Sequence, residues 1–139
     1  MMAQVSIAKV IKYKQQTVYV PAYSHIYVGP EEKPIDLAIT LSIRNTNANE
    51  SIMVSVADYY DSEGKAVESF ITKHIELKPF ATTRFIISDS DKTGGSGANF
   101  IVKWHAEKRV NAPVVESIMI GTRASHGISF KSRGIVIEE

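Results

Sequence analysis

The 139-residue sequence predicts an all-β protein, an antiparallel two-sheet β-sandwich of about eight to ten strands with little or no helix. Apolar and polar residues alternate along much of the chain, and turn-forming residues recur about every 8–12 positions. Most connections are too short for a crossover helix, and this favours antiparallel pairing. We expect one domain over residues 1–139, with residues 1–16 forming an N-terminal extension or an edge strand.

The first half of the chain begins with two or three predicted strands in VSIAKVIKY (5–13) and TVYVPAYSHIYV (17–28). Pro21 indicates an edge or a bulge there, because proline cannot donate to a strand ladder. The clearest strand is IDLAITLSI (35–43), in which Ile or Leu occupies every second position. After the asparagine-rich turn RNTNANE, the next strand is SIMVSVADYY (51–60).

The second half begins with the turn DSEGK (61–65), in which Gly64 is available for positive φ. Short strands follow in AVESFI and HIEL, and Pro79 ends that group. The GISF and GIVI segments near the C-terminus predict a short hairpin around Ser132–Gly134. The strands between these regions are TRFIIS (83–88), ANFIVKWHA (98–106) and PVVESIMIG (113–121).

Composition excludes several classes of function. The net charge of +1, from 16 basic and 15 acidic residues, gives no long-range field to attract nucleic acid or an anionic membrane. The chain has no cysteine, so disulfides, cysteine-based zinc sites and a cysteine nucleophile are excluded. The apolar runs are too short to span a bilayer, and the N-terminal residues do not have the pattern of a signal peptide. We expect no nucleic-acid partner, no membrane span and no cofactor.

The most distinctive stretch is DSDKTGGSGANFIVKW (89–104), which we compare with three known loop types. A phosphate-binding P-loop needs Lys-Ser/Thr after the glycines and a helix behind them, and both are missing. An EF-hand needs a ligand carboxylate where Phe100 stands. A nucleophile elbow needs a glycine where Ala98 stands, and a helix after it. The sequence therefore favours a glycine-permitted bend that delivers Phe100, Val102 and Trp104 into the core.

A small-ligand site at this loop remains the alternative. Asp89 and Asp91 are candidate cation ligands, Asn99 is a candidate ligand-binding residue, and Ser96 is a candidate nucleophile. The hydrolytic version predicts a histidine within about 4 Å of Asp89, Asp91 or Ser96. No complete catalytic motif and no zinc-ligand spacing is found, so no catalytic residue and no metal ligand is assigned. The histidines available as partners are His25, His74, His105 and His126.

A second candidate surface lies in the N-terminal strands. By the two-residue period of a strand, Tyr23, His25 and Tyr27 share one face, which could bind a sugar or a peptide by stacking or could simply be the face of an edge strand. The alternating Tyr and Val residues of the same strands are also candidates for homo-oligomer formation through a sheet edge.

Several segments together resemble one family. They include YVPAYSHIYVG (19–29), LAITLSIRNTN (37–47), DKTGGSGANFIVKW (91–104) and HGISFKSRGIVI (126–137). Over residues 17–137 the chain resembles the bacterial DUF3124 family, and the resemblance implies a periplasmic or other extracytoplasmic location without implying an activity. The R-N-T-N strand end and the L-x-P-x-x-T-x-x-F segment are also similar to immunoglobulin-like accessory modules, so an immunoglobulin-like sandwich is expected.

The resulting functional prediction is a non-catalytic module that binds a protein or a cell-envelope component. The prediction rests on the strand pattern, the near-zero net charge and the lack of a complete catalytic motif. The alternative is a small hydrolase or a cation-binding site at the glycine loop of residues 89–99.

Overall fold

The computed structural model describes residues 9–28, 33–121 and 127–139. Within these ranges twelve strands and no helix are found. The strands are β1 (Lys12–Ala22), β2 (His25–Val28), β3 (Lys33–Asp36), β4 (Ala38–Arg44), β5 (Ile52–Tyr60), β6 (Ala66–Ser69), β7 (Ile75–Leu77), β8 (Thr82–Ile87), β9 (Ala98–Asn111), β10 (Val114–Gly121), β11 (Ile128–Arg133) and β12 (Ile135–Glu138).

Two antiparallel sheets form the body of the protein. The larger sheet has the order β12-β1-β9-β5-β6, and β7 also pairs with β5. The smaller sheet has the order β11-β10-β4-β8, and β2 and β3 form a separate hairpin. The inner faces of both large sheets contribute to one apolar cluster. The predicted all-β antiparallel sandwich is therefore confirmed.

The core is built from the alternating residues that the sequence places on one face of each strand. Leu41 and Ile43 of β4 are fully buried, as are Phe100 and Val102 of β9, and Trp104 is 1% exposed. The glycine loop therefore delivers β9 into the core as predicted. Large buried side chains of this kind contribute most of the hydrophobic stabilisation of a sandwich.

The strand IDLAITLSI is divided at Leu37, which is one reason why the described residues hold more strands than predicted. The Leu37 amide donates to the carbonyl oxygen of Ser24 at 3.0 Å instead of joining a sheet ladder. The residues before Leu37 belong to the β2–β3 hairpin, and those after it belong to the smaller sheet. A two-residue period cannot reveal this change of partner, because the alternation continues through it.

The predicted C-terminal hairpin is wrong. Strand β11 pairs with β10 in the smaller sheet, whereas β12 pairs with β1 in the larger one, so the chain crosses between the sheets at Gly134. The Gly134 amide donates to the Val115 carbonyl oxygen at 2.8 Å. A Cβ at Gly134 would lie 2.6 Å from Cγ1 of Val18, so the crossing requires glycine.

Strand β1 is partly an internal strand. It pairs with β9 over most of its length, and β12 covers its other side only at Thr17–Tyr19. Pro21 lies beyond that covered part, which agrees with the predicted edge or bulge. At Thr17–Tyr19 the edge of the sheet is therefore β12, whose Ile135 and Ile137 are 61% and 56% exposed. Homo-oligomer formation through the edge of the N-terminal strands stays a prediction, and β12 covers part of that edge at Thr17–Tyr19.

Candidate functional site

The glycine loop, residues 89–97, is fixed to other parts of the molecule. Ser24, in the turn between β1 and β2, donates to the Gly95 carbonyl oxygen from its amide at 2.9 Å and from its hydroxyl at 3.0 Å. Lys92 forms an ion pair with Asp36 of β3 at 3.3 Å. Gly95 has a φ of 79°, a conformation that glycine adopts without strain. The loop is therefore anchored to the β2–β3 hairpin, in contrast to a flexible linker.

Ser62, in the turn between β5 and β6, anchors the same loop from the opposite side. Its amide and hydroxyl donate to the Gly94 carbonyl oxygen at 2.9 Å and 3.0 Å. Its hydroxyl oxygen also accepts from the Gly97 amide at 2.9 Å. The Gly97 amide, which an anion would need in a phosphate cradle, is thus bonded within the protein. This agrees with the rejection of the P-loop from the sequence.

Tyr59 of β5 lies directly beneath the loop. Its side chain is fully buried, and its hydroxyl has no hydrogen-bond partner among the residues that the structure describes. A Cβ at Gly94 would overlap this hydroxyl oxygen, so the glycine permits the loop to close over the ring. Burial, and secondarily the Asp91 carboxylate, raises the pKa of Tyr59 to about 12.

This raised pKa predicts a loss of stability in alkali. Below about pH 10 both the folded and unfolded chains keep the Tyr59 proton, because an ordinary tyrosine has a pKa of about 10. Between pH 10 and the folded pKa of about 12 the unfolded chain loses its proton first, so the free energy of unfolding falls as pH rises. The full effect is about 2–3 kcal/mol. Urea unfolding between about pH 9 and about pH 11.5 should show a smaller loss for Tyr59→Phe than for the wild type. Tyr27→Phe, at a ring that is 59% exposed, is the control and should leave the loss unchanged.

Asp89, Asp91 and Ser96 lie in the glycine loop, whereas Asn99 lies on the strand that follows it. The Asp91 carboxylate accepts from the amide and the hydroxyl of Thr93 at 3.0 Å and 2.6 Å. Asp89 is partly exposed and Ser96 is exposed. Asn99 lies on β9, opposite Pro21 and Tyr60. The Thr93 bonds give Asp91 a local turn-forming role.

The aromatic stripe is only partly formed. The rings of His25 and Tyr27 lie 5.3 Å apart, edge to face, on strand β2. Tyr23 does not join them, because it precedes the bend at Ser24 and packs its ring against Phe130 of β11 at 5.6 Å. The fourth candidate histidine, His126, lies outside the described residues.

Two histidines that the sequence keeps apart lie in contact. The rings of His74, just before β7, and His105, on β9, have centres 5.4 Å apart with planes at 71°. The two residues are far apart in sequence and are brought together only by the pairing of β7 and β9 with β5. No local motif could have indicated this pair.

The outer face of the smaller sheet carries an apolar patch, which we call the isoleucine face: Ile86 on β8 with Ile118 and Ile120 on β10. Ile86 and Ile120 are 64% and 44% exposed. Thr40 of β4 lies between Ile86 and Ile118 in one row across the sheet. A shallow groove of about 330 Å³ runs over this face. The sequence contained a signal for it, because both faces of PVVESIMIG carry apolar residues.

The isoleucine face is bordered by positive charge. In the next row of the sheet, Arg84, Ser42, Glu116 and Arg133 lie side by side across the four strands. Four basic side chains around the patch are exposed: Arg44, Arg84, Lys131 and Arg133. Glu116 is the acidic residue in this border. A chain with a net charge of only +1 thus concentrates positive charge on one face.

Two further features bear on metal binding and on membranes. Among the described residues, no group of three or more His, Cys, Asp or Glu side chains lies close enough together to hold a metal ion. The same residues contain no helix that is long and apolar enough to span a membrane.

The strand order and the shared core define an antiparallel β-sandwich protein. The chain belongs to DUF3124, a family described as proteins of unknown function, whose model matches residues 15–137. The resemblance seen in the sequence is confirmed. A solved structure described as Thermotoga maritima 1070 is similar to this chain, with a TM-score of 0.52 and 12% identity, covering 88% of this chain and 95% of that one. At this identity the similarity concerns the fold. No curated protein matches the chain.

Proposed function

We propose that this protein is a non-catalytic binding module and that its partner is a protein docking on the isoleucine face. The observation that carries the proposal is the exposure of Ile86 and Ile120 near Ile118, on a sheet face whose next row holds Arg84, Ser42, Glu116 and Arg133. Contiguous exposed apolar residues with a polar border are characteristic of interaction surfaces.

The border of the patch indicates the chemistry of the partner. Four exposed basic residues and one partly exposed acidic residue, Glu116, surround the isoleucines. A partner with apolar side chains at its centre and Asp or Glu at its rim would complement this pattern. Among the described strands, β8 also forms the edge of the smaller sheet beside Ile86, so an extended acidic segment could pair with its backbone.

We further propose that this partner is a protein of the cell envelope, in line with the extracytoplasmic location implied by the family resemblance. The alternative of a hydrolytic or cation site at residues 89–99 has weaker support. Asp91 is bonded to Thr93, and the loop glycines are bonded to Ser24 and Ser62.

The test compares a disrupted face with a matched control. Proteins retained from an envelope extract by the wild type are identified, purified and titrated against three forms of the protein. We expect the double variant Ile86→Glu/Ile120→Glu to lower the affinity for the partner by about thirtyfold or more, because buried apolar anchors dominate interface energies. Val67→Glu, at a residue of β6 that is 37% exposed, should change the affinity by less than about twofold.

Salt dependence and lipid vesicles give the second readout. Binding should weaken as ionic strength rises, because the basic border attracts the partner. Retention of full affinity by the double variant would overturn the proposal. Binding of phosphatidylglycerol vesicles that the double variant abolishes would instead identify an anionic lipid surface, and would also overturn it.

A further inference from the structure

We propose that His74 and His105 form a copper-binding site on the outer face of the larger sheet, with the Met53 thioether as the third ligand. This site uses different residues and a different sheet from the isoleucine face, so the two proposals stand or fall separately.

Strand pairing brings Met53 next to His105. Met53 of β5 lies directly opposite His105 of β9 and, on its other side, directly opposite Glu76 of β7. Residues directly opposite each other in antiparallel strands point to the same side, with Cβ atoms about 4.5–5.5 Å apart. His105, Met53 and Glu76 therefore form a row on one face.

His74 reaches the same row from the turn before β7. It precedes Glu76 by two residues, so strand alternation places both side chains on the same face. The register between β5 and β9 shifts between Val54 and Val56, so Ser55 is an extra residue at a bulge. The irregularity lies between the two histidine positions, and His74 contacts His105 across β5 there.

The distance between the two imidazoles suits a shared ion. Their ring centres are 5.4 Å apart with planes at 71°. With metal–nitrogen bonds of about 2.0–2.1 Å, two imidazoles on one ion place their ring centres about 5–6 Å apart. The proposal requires side-chain rotations that direct one nitrogen of each ring to a common point.

The donor set favours copper over other metals. Imidazole binds copper, zinc and nickel, whereas a thioether is a soft ligand that favours Cu(I). Calcium and magnesium prefer oxygen ligands, and zinc is bound by thiolates, imidazoles and carboxylates, a set that does not include the thioether of Met53. Met53, Glu76 and His105 line one groove of about 420 Å³, and His74 lies outside this lining, in ring contact with His105. Glu76 and Glu107 at this groove add negative charge, which attracts a cation.

The experiment titrates the purified protein with Cu(II), and with Cu(I) under anaerobic conditions against a chromogenic chelator. We expect one copper ion per chain at the site, and imidazole nitrogen couplings in the electron paramagnetic resonance spectrum of the Cu(II) form. His74→Ala and His105→Gln should each lower the affinity for Cu(II) by about tenfold or more, because each removes a direct ligand. His25→Ala is the control and should change the affinity by less than about twofold.

Met53→Leu separates the two oxidation states. This substitution preserves size and apolar character but removes the thioether, which is the ligand that favours Cu(I). The affinity for Cu(I) should therefore fall by about tenfold, and the affinity for Cu(II) should change by less than about twofold. Thermal melting without metal shows whether each variant is folded, and His74 is exposed, so its replacement should not disturb the fold. The proposal is overturned if no copper binds above the level of the His74→Ala variant, or if His25→Ala causes the same loss.

Discussion

Replacing Asn45 by alanine should lower the free energy of unfolding by about 3 kcal/mol or more, because several buried polar groups lose their partner at once. The Asn45 side chain is 3% exposed. Its amide nitrogen donates to the carbonyl oxygens of Glu50, Leu77 and Lys78 at 2.9, 3.0 and 3.1 Å. Its amide oxygen accepts from the backbone and side-chain nitrogens of Asn47 at 3.0 and 2.7 Å.

The same network extends to the connection between β9 and β10. Asn111 donates to the Thr46 hydroxyl and carbonyl oxygens at 2.6 and 3.1 Å, and the Thr46 hydroxyl donates to the Ala112 carbonyl oxygen at 2.9 Å. Asn47 joins the two halves by donating to the Asn111 carbonyl oxygen at 3.3 Å. Buried polar networks of this kind are costly to break because each remaining group is left without water.

Urea unfolding at neutral pH measures the Asn45 effect. Asn45→Asp should be about as destabilising as Asn45→Ala, because a carboxylate cannot donate to three carbonyl oxygens. Asn49→Ala, at an exposed asparagine in the connection between β4 and β5 that also holds Asn45, is the control. Its free energy of unfolding should stay within about 0.5 kcal/mol of the wild-type value. A loss below about 1 kcal/mol for Asn45→Ala would show that the network contributes little.

Gly94→Ala should lower the free energy of unfolding by about 2–3 kcal/mol through overpacking. The new methyl group would overlap the Tyr59 hydroxyl oxygen and would lie 2.9 Å from the Cβ of Ala98. Tyr59 is fully buried and Ala98 is 2% exposed, so neither can move into solvent without opening the core.

A double-mutant cycle identifies the cause of the Gly94 effect. Tyr59→Phe removes the atom that the new methyl group meets first, so it should recover about 1 kcal/mol or more of the Gly94→Ala loss. Gly127→Ala is the control, because a Cβ there meets no atom within 4 Å. Equal Gly94→Ala losses in the wild-type protein and in the Tyr59→Phe variant would contradict the steric explanation.

The sequence predicts the sandwich well because a strand with one buried face has an apolar residue at every second position. Leu41 and Phe100 are apolar for a reason that acts within their own strands, so the pattern is visible without the fold. The C-terminal hairpin fails because local pattern does not show which sheet a strand joins. The chain crosses at Gly134, and its crossing depends on Val18 and Val115, which are distant in sequence.

The candidate sites were less predictable for a related reason. The glycine loop could be separated from known phosphate, calcium and nucleophile loops by its own residues, but its anchors Ser24 and Ser62 lie in other turns. The RNTN segment indicates a turn, yet Asn45 bonds to Leu77 across 32 positions of sequence. Contacts of this kind depend on strand pairing, which a single sequence does not specify.

The crossing at Gly134 also bears on the order of events in folding. Strand β12 pairs with β1 from the opposite end of the described chain, and β11 pairs with β10 in the other sheet. The loop closed by the β1–β12 pairing is long and entropically costly, so this pairing is expected to form after the central strands have met, whereas β10 and β11 are close in sequence. Changes in β12 should therefore act mainly on the unfolding rate and leave the folding rate almost unchanged. In kinetic terms, the last few residues described determine how long the folded sandwich persists.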